Sequence, residues 1–324
     1  MKSPGLFSYR LLILAGALLS LTAPHAAVPE PPPATASPIT APPPAPATGT
    51  ASIEDPLVTH LKLGRPEWLE AAGTRFLGLY TEALSGAPHG GIILLPGLGA
   101  HPDWPEVIRP LRRDLPSAGW AVLSIQLPAP AQNPDRQWQL TPLFEAAPAR
   151  IAAAAAFLEQ QGLKNIVVIG HDVGAAVAVT TLAGTNNDKI TGLVAIGLGL
   201  PLHSAATPYQ PGLLEKVGVP LLDIYGSQDL ESVKQEADAR ALAARKGGAP
   251  RFASPPSDSP QDSTVTNVSP PPDDKTELAY RQMELPGADH FFTGSETALV
   301  KRIAGWLKKH ATTRTVNAEP ASPP

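Results

Sequence analysis

The chain has 324 residues, a formal net charge of −4 and 43% hydrophobic residues, enough for one sizeable core. Its basic residues are scattered rather than clustered, which argues against a nucleic-acid partner. It contains no cysteine, so neither a disulfide framework nor a lipid-modified N-terminal cysteine is available to it.

Lys2 and Arg10 precede an apolar run, Leu11 to Ala23 (LLILAGALLSLTA), followed by the small-residue stretch PHAA. A charged start, a short apolar run and a small-residue end read as a secretory signal peptide over residues 1–27, too short for a comfortable membrane span, with an uncleaved N-terminal anchor as the alternative. The expected location is outside the cytoplasm, in the periplasm, with no stable membrane span after cleavage. Residues 28–50 (VPEPPPATASPITAPPPAPATGT) are rich in Pro, Ala and Thr and read as a disordered linker. Residues 51–310 are expected to form one domain, interrupted by a second Pro/Ser-rich stretch, 247–274, read as a disordered insertion. The tail 311–324 reads as disordered too. No internal repeat is visible, and the oligomeric state is not legible.

Within the domain, strand-like and helix-like segments alternate. Gly91 to Leu95 (GIILL) is an apolar strand ending at the turn PGLG; Arg109 to Ala118 suggests a short helix with a basic face. Trp120 to Leu127 is a strand, and the Ala-rich stretch within Leu143 to Gln161 is a strong helix former. Asn165 to Ile169 is a strand and Gly174 to Ala183 a small-residue helix; Ile190 to Ile196 and Val219 to Tyr225 are strands. Leu230 to Arg245 is a helix of alternating charge, Arg281 to Leu285 a last strand and Leu299 to Lys309 a last amphipathic helix. This alternation predicts an α/β fold: right-handed β-α-β units and a mostly parallel, doubly wound sheet covered on both faces. Ligands of such sheets bind at the carboxyl ends of the strands, so the informative residues follow each strand.

Those positions hold PGLGAHPDW after the first strand, HDVG after Ile169, GSQD after Tyr225 and PGADHF before the last helix. Gly170-His171-Asp172-Val173-Gly174 resembles the nucleophile elbow of the α/β-hydrolase fold, with Asp where many members carry Ser. Asp229 stands where that fold often carries its triad acid and His290 where it carries its histidine, in the chain order the fold uses. The resemblance spans about residues 75–310. The wording around LPGLGAHPDWPEVIRPLRRDLPSAGWAVLSIQLP is also similar to a bacterial family of secreted α/β-hydrolase-like proteins of unknown function.

The resemblance implies a nucleophile at Asp172, a base at His290 and an orienting acid at Asp229. The backbone N–H groups of Leu98 and Val173 would form the oxyanion hole. An elbow Asp is similar to that of haloalkane dehalogenases and epoxide hydrolases, which form an alkyl ester on it and hydrolyse the ester with a histidine-activated water. Two features depart from those enzymes. Val173 replaces their usual Trp or Arg, and Gly197 to Gly218 is too short for their helical cap, so little or no cap is expected. Tyr209, inside that gap, is a single candidate for an epoxide-activating pair.

Two readings of Asp172 remain open. In one it serves a hydrolase of small electrophiles or esters, acting on a small or surface-borne substrate. In the other it is a helix cap on a catalytically silent binding or envelope-interaction protein. His171 is expected to pack structurally. His101 and Asp103 either line the pocket mouth or cap the next helix. No metal-ligand spacing and no phosphate-binding or dinucleotide glycine loop is present, so no metal and no cofactor is expected.

Overall fold

The computed structural model describes residues 54–132, 138–185, 188–200, 207–247 and 280–316. The signal segment, the linker and nearly all of the 247–274 insertion lie outside these residues. Strands β1 (Arg65–Ala71), β2 (Thr74–Thr81), β3 (Gly90–Leu95) and β4 (Trp120–Ile125) come first, followed by two-residue strands β5 (Ala131–Gln132) and β6 (Trp138–Gln139). Strands β7 (Ile166–His171), β8 (Ile190–Ile196), β9 (Leu221–Gln228) and β10 (Tyr280–Asp289) complete the set. The helices are α1 (Glu54–Thr59), α2 (Ile108–Asp114), α3 (Thr141–Gln160), α4 (Val173–Gly184), α5 (Glu231–Gln235), α6 (Ala237–Lys246) and α7 (Glu296–Val316). Helix α7 thus runs into the stretch read as a disordered tail.

Eight strands form one sheet in the order β1-β2-β4-β3-β7-β8-β9-β10. From β4 to β10 every pairing is parallel; β2 joins β4, and β1 joins β2, in antiparallel fashion. Strands β3, β4, β7 and β8 are buried along their whole length and largely apolar without alternation because both of their faces are covered. Ile93, Leu95, Ile166 and Val168 enter the core shared with α3 and α4. Their neighbours Ile92, Leu94, Val167 and Ile169 enter a second core with α2 and α7. The period-2 alternation of a strand therefore divides each apolar run between two cores.

The β1–β2 hairpin has no counterpart in the expected series of elements. Its register pairs Ala71 with Thr74, leaving Ala72 and Gly73 as a two-residue turn with φ of 48° and 74°. Positive φ at both positions is the tight-hairpin geometry normally announced by Asn-Gly or Asp-Gly; Ala-Gly hides it. Between β8 and β9 the helical structure among the described residues is a 3₁₀ segment, Pro211–Lys216. No helix among the described residues is long and apolar enough to cross a membrane.

Strand β7 meets α4 at unusually close range. A Cβ on Gly174 would lie 2.5 Å from the carbonyl oxygens of Leu95 and Pro96, and one on Gly170 2.5 Å from the carbonyl oxygen of Gly174. By contrast Gly73 has open space around it and needs glycine only for its φ of 74°. Gly73→Ala should therefore cost about 1–2 kcal/mol, the usual cost of left-handed backbone. Gly174→Ala should cost more, because backbone has to move. Urea denaturation of the two variants beside the parent chain checks the order.

Candidate active site

Asp172 sits between β7 and α4 with φ 53° and ψ −124°, a strained conformation for a residue with a side chain. Its N–H donates to the carbonyl of Ile196 at 2.9 Å, and its own carbonyl accepts from Ala175 and Ala176. The backbone is thus tied to β8 on one side and to the first turn of α4 on the other. The bend directs the carboxylate toward the end of β3, where the N–H of Leu98 donates to Oδ2 at 3.0 Å. A Cβ on Gly97 would lie 3.1 Å from that oxygen, so the PGLG turn approaches through a residue lacking one.

The other oxygen of Asp172, Oδ1, lies 3.8 Å from Nε2 of His290. This is within ion-pair range but longer than a direct hydrogen bond. On its far side His290 donates from Nδ1 to Oδ1 of Asp229 at 2.6 Å. Asp229 also accepts from the N–H groups of Gly226 and Leu230, at 3.2 and 2.8 Å. Burial would raise the Asp229 carboxyl, but the hydrogen bond and charge of His290 and these two amides outweigh it and hold the pKa below the ordinary value. Asp229 is therefore an acceptor and Nδ1 of His290 carries the proton. In the neutral ring Nε2, facing Asp172, then holds the lone pair.

Burial likewise pulls the pKa of His290 down. The Asp229 hydrogen bond and the charges of Asp172, Asp229 and Asp289 overcome it and raise the pKa above the usual histidine value. Gly197 makes room for this pair, since a Cβ there would lie 3.1 Å from the His290 ring.

The structure brings Asp172, His290, Asp229 and the Leu98 amide together. Among the described residues the N–H of Val173 makes no hydrogen bond to the Asp172 carboxylate. His101 and Asp103 are engaged with their own neighbours. Nδ1 of His101 accepts from the N–H of Asp103 at 3.1 Å, its ring meets Trp104 edge-on at 5.3 Å, and burial lowers its pKa. The Asp103 carboxylate accepts from Arg109 and from the buried Arg112, each at 3.1 Å through Nε. Arg112 in turn donates to the carbonyl of Leu63 at 2.7 Å, so the pair joins this loop to the chain before β1. Tyr209 is buried in the core, and the charges acting on its hydroxyl are Glu236, Arg240 and Asp223 rather than the Asp172 group. No cluster of three or more metal-binding side chains occurs among the described residues.

The sequence reading missed a buried ion pair between β9 and α6. Asp223 in β9 and Arg240 in α6 have fully buried side chains 2.9 Å apart. Arg240 also donates to the carbonyls of Leu198 and Val233, and Asp223 accepts from Tyr280 and Gln282. These contacts tie the end of β8, β9, β10, α5 and α6 together. The signal was present: an Asp inside the apolar run VPLLDIY needs a cationic partner. Arg240 was hidden because it is one of several charges on a helix of alternating charge.

Comparison with known proteins agrees with this architecture. The family model described as "Protein of unknown function (DUF3530)" matches residues 8–148 and 143–254. No curated protein sequence matches. Est1E from Butyrivibrio proteoclasticus superposes with a TM-score of 0.54 at 12% identity, covering 76% of this chain and 99% of its own. A dienelactone hydrolase from Anabaena variabilis gives 0.52 at 20% identity, over 75% and 97%. An alpha-beta serine hydrolase homologue from Coxiella burnetii gives 0.50 at 15% identity, over 76% and 98%. At these identities the likeness establishes the α/β-hydrolase fold.

Arg240→Met should destabilise the protein by about 3–5 kcal/mol, because it strands a buried carboxylate. Arg240→Met combined with Asp223→Leu should cost clearly less than the sum of the two single changes. Chemical denaturation of the four proteins reads this double-mutant cycle.

Proposed function

The chain belongs to the family described as proteins of unknown function, DUF3530, and from its site we propose a hydrolase that uses Asp172 as a carbon-directed nucleophile. The observation that carries this reading is the division of labour between the two oxygens of Asp172. Oδ2 rests on the Leu98 amide at 3.0 Å, while Oδ1 faces Nε2 of His290 at 3.8 Å. In a serine hydrolase the oxyanion belongs to the substrate. With an Asp nucleophile the tetrahedral centre is the Asp's own Cγ, and the oxyanion is its own Oδ2. A backbone donor already on Oδ2 suits that chemistry.

In the first step Oδ1 attacks a saturated carbon of the substrate, the bond to the leaving group breaks, and that group departs with the electron pair. An ester of Asp172 remains. In the second, Nε2 of His290 takes a proton from water, and the hydroxide attacks Cγ. Negative charge collects on Oδ2 at Leu98 and then returns to re-form the carbonyl. The product alcohol leaves with Oδ1 and accepts the proton from His290, and the Asp172 carboxyl group releases the second proton of the water to solvent. Asp229 holds the ring and stabilises its cationic form.

The substrate class is a small neutral electrophile. Because Tyr209 sits with the Arg240 cluster, we favour a leaving group that departs as a stable anion, as in an alkyl halide, over an epoxide. The hydrolase fold of the structural neighbours supports the leaning toward hydrolysis. We further propose that residues 1–27 direct export to the periplasm; N-terminal sequencing of the protein from an envelope fraction tests this, and an intact Met1 would refute it.

One single-turnover experiment in ¹⁸O-water decides the nucleophile. With a panel of primary bromoalkanes, epoxides and activated esters, the expected result is label in Asp172 and an unlabelled product alcohol. Label in the product would make Asp172 at most a base, and absence of turnover across the panel would overturn the reading. Asp172→Asn should abolish turnover.

The pH dependence has a fixed sign. Water activation needs neutral His290, so kcat should rise with pH through the titration of His290 in the ester intermediate, where Asp229 still raises the pKa and Asp172 no longer does. Asp229→Asn keeps an acceptor oxygen but removes the charge that raises it. The limb should move to lower pH while the plateau falls; a limb that stays in place would exclude His290 as its source.

A further inference from the structure

We propose that His171 is a positioning residue that fixes the base, His290, relative to the nucleophile, Asp172. The inference rests on the reading of Asp172 and His290 given above and goes beyond it by assigning a role to a residue outside that triad.

His171 ends β7 and immediately precedes Asp172 in the chain. Its side chain crosses to the end of β10, where Nε2 lies 3.0 Å from the backbone carbonyl oxygen of His290. The two imidazoles stand 5.0 Å apart at 38°. A carbonyl oxygen only accepts, so Nε2 of His171 must carry the proton. In the neutral ring Nδ1 then holds a lone pair, and it lies on the side of Gly97, where a Cβ would come within 3.2 Å. The ring is buried, and burial lowers its pKa against the opposing charges of Asp172 and Asp229, which favours the neutral form.

The sheet alone does not hold His290 in place. The β9–β10 ladder runs in register from Tyr280 to Leu285, then breaks, and resumes only at Asp289. His290 therefore follows an irregular segment and lies just past its last ladder pair. Its ring is fixed by Asp229 through Nδ1, and the turn it lies in is closed by the N–H groups of Phe291, Phe292 and Thr293 on Asp289. The donor from His171 is the contact that ties the His290 carbonyl itself to the end of β7. Because His171 is covalently next to Asp172, the same residue references the base to the nucleophile. A gap of 3.8 Å between Nε2 and Oδ1 leaves little tolerance for drift, and a displacement of about 1 Å in such a site costs about 100-fold in rate.

The test separates attack from ester hydrolysis. Attack by Asp172 does not use His290; hydrolysis does. With 1-bromobutane as probe, His171→Leu, which lacks the donor, should accumulate an alkyl adduct on Asp172, visible by intact-protein mass spectrometry. Hydrolysis of that adduct should slow about 10–100-fold. His171→Gln, whose amide can donate to the same carbonyl, should hydrolyse it at close to the parent rate. His290→Gln is the control and should trap the adduct fully. An adduct trapped by His290→Gln but not by His171→Leu overturns the positioning role. No adduct in any variant overturns instead the reading of Asp172.

A second readout is independent of turnover. In the parent protein the Nδ1 proton of His290, held by Asp229, should give a sharp low-field NMR line. It should broaden in His171→Leu and stay sharp in His171→Gln. The same line in both would overturn the proposal whatever the protein hydrolyses. If His171→Leu fails to fold, His171→Phe, which keeps an aromatic ring and removes the donor, replaces it in both measurements.

Discussion

Everything at this site depends on the bend at Asp172. A φ of 53° with ψ of −124° on a residue with a side chain costs on the order of 1–3 kcal/mol. The surrounding structure maintains it from several directions. Gly170 and Gly174 let β7 and α4 close to distances that any Cβ would obstruct, while β8 takes the Asp172 N–H. The strain places a carboxylate at the end of the central strands instead of in the packing between strand and helix. An ordinary helix cap would not need this conformation. A capping Asp is relaxed and bonds the amides of its own helix. Asp172 makes no side-chain cap bond to α4; its Oδ2 bonds Leu98, on a different element.

Two kinds of force organise the neighbourhood. The apolar sheet fixes where the strand ends lie, since alternate residues of β3 and β7 anchor in opposite cores. Buried polar contacts then fix what the loops beyond those ends do. Arg112 with Asp103 holds the loop after the PGLG turn, and Arg240 with Asp223 joins α6 to β9 and to the chain after β8. Such pairs contribute little net stability relative to apolar replacements of the same size, yet removing one partner is costly. They act mainly as constraints on geometry, which suits a site where separations of 2.6 and 3.8 Å have to coexist around one imidazole.

The sequence was most legible where one residue type has one use. The apolar runs, the Gly-x-x-x-Gly spacing around Asp172 and the order of Asp172, Asp229 and His290 led directly to the doubly wound sheet and to the residues that meet. It was least legible where the partner is distant in the chain. The β1–β2 hairpin turns on Ala72 and Gly73, which carry no strong turn signature, and Arg240 looks like any other charge on a helix. The ties of Asp103 to Arg112 and of His171 to the His290 carbonyl join residues on different elements, so no local pattern encodes them. The position of Tyr209 belongs to the same class: its place in the gap before β9 suggested the site, and its burial puts it with the Arg240 cluster.

The charges around His290 give the proposed cycle an internal order. At rest, ionised Asp172 and Asp229 flank the imidazole, and with Asp289 they raise its pKa despite burial. The same field that makes His290 a willing proton acceptor also tends to protonate it before it is needed. Alkylation of Asp172 changes this balance, because an ester carries no charge. One of the charges raising the pKa vanishes, while burial, which lowers it, remains. The imidazole is thereby biased toward its neutral form in the intermediate, which is the state that must deprotonate water. Hydrolysis passes the proton of His290 to the departing alcohol, and once the new carboxyl group ionises, the charge that raises the pKa of the imidazole is restored. Replacing Asp172 with an uncharged nucleophile would remove that alternation, so on this reading the Asp at the elbow also times the base.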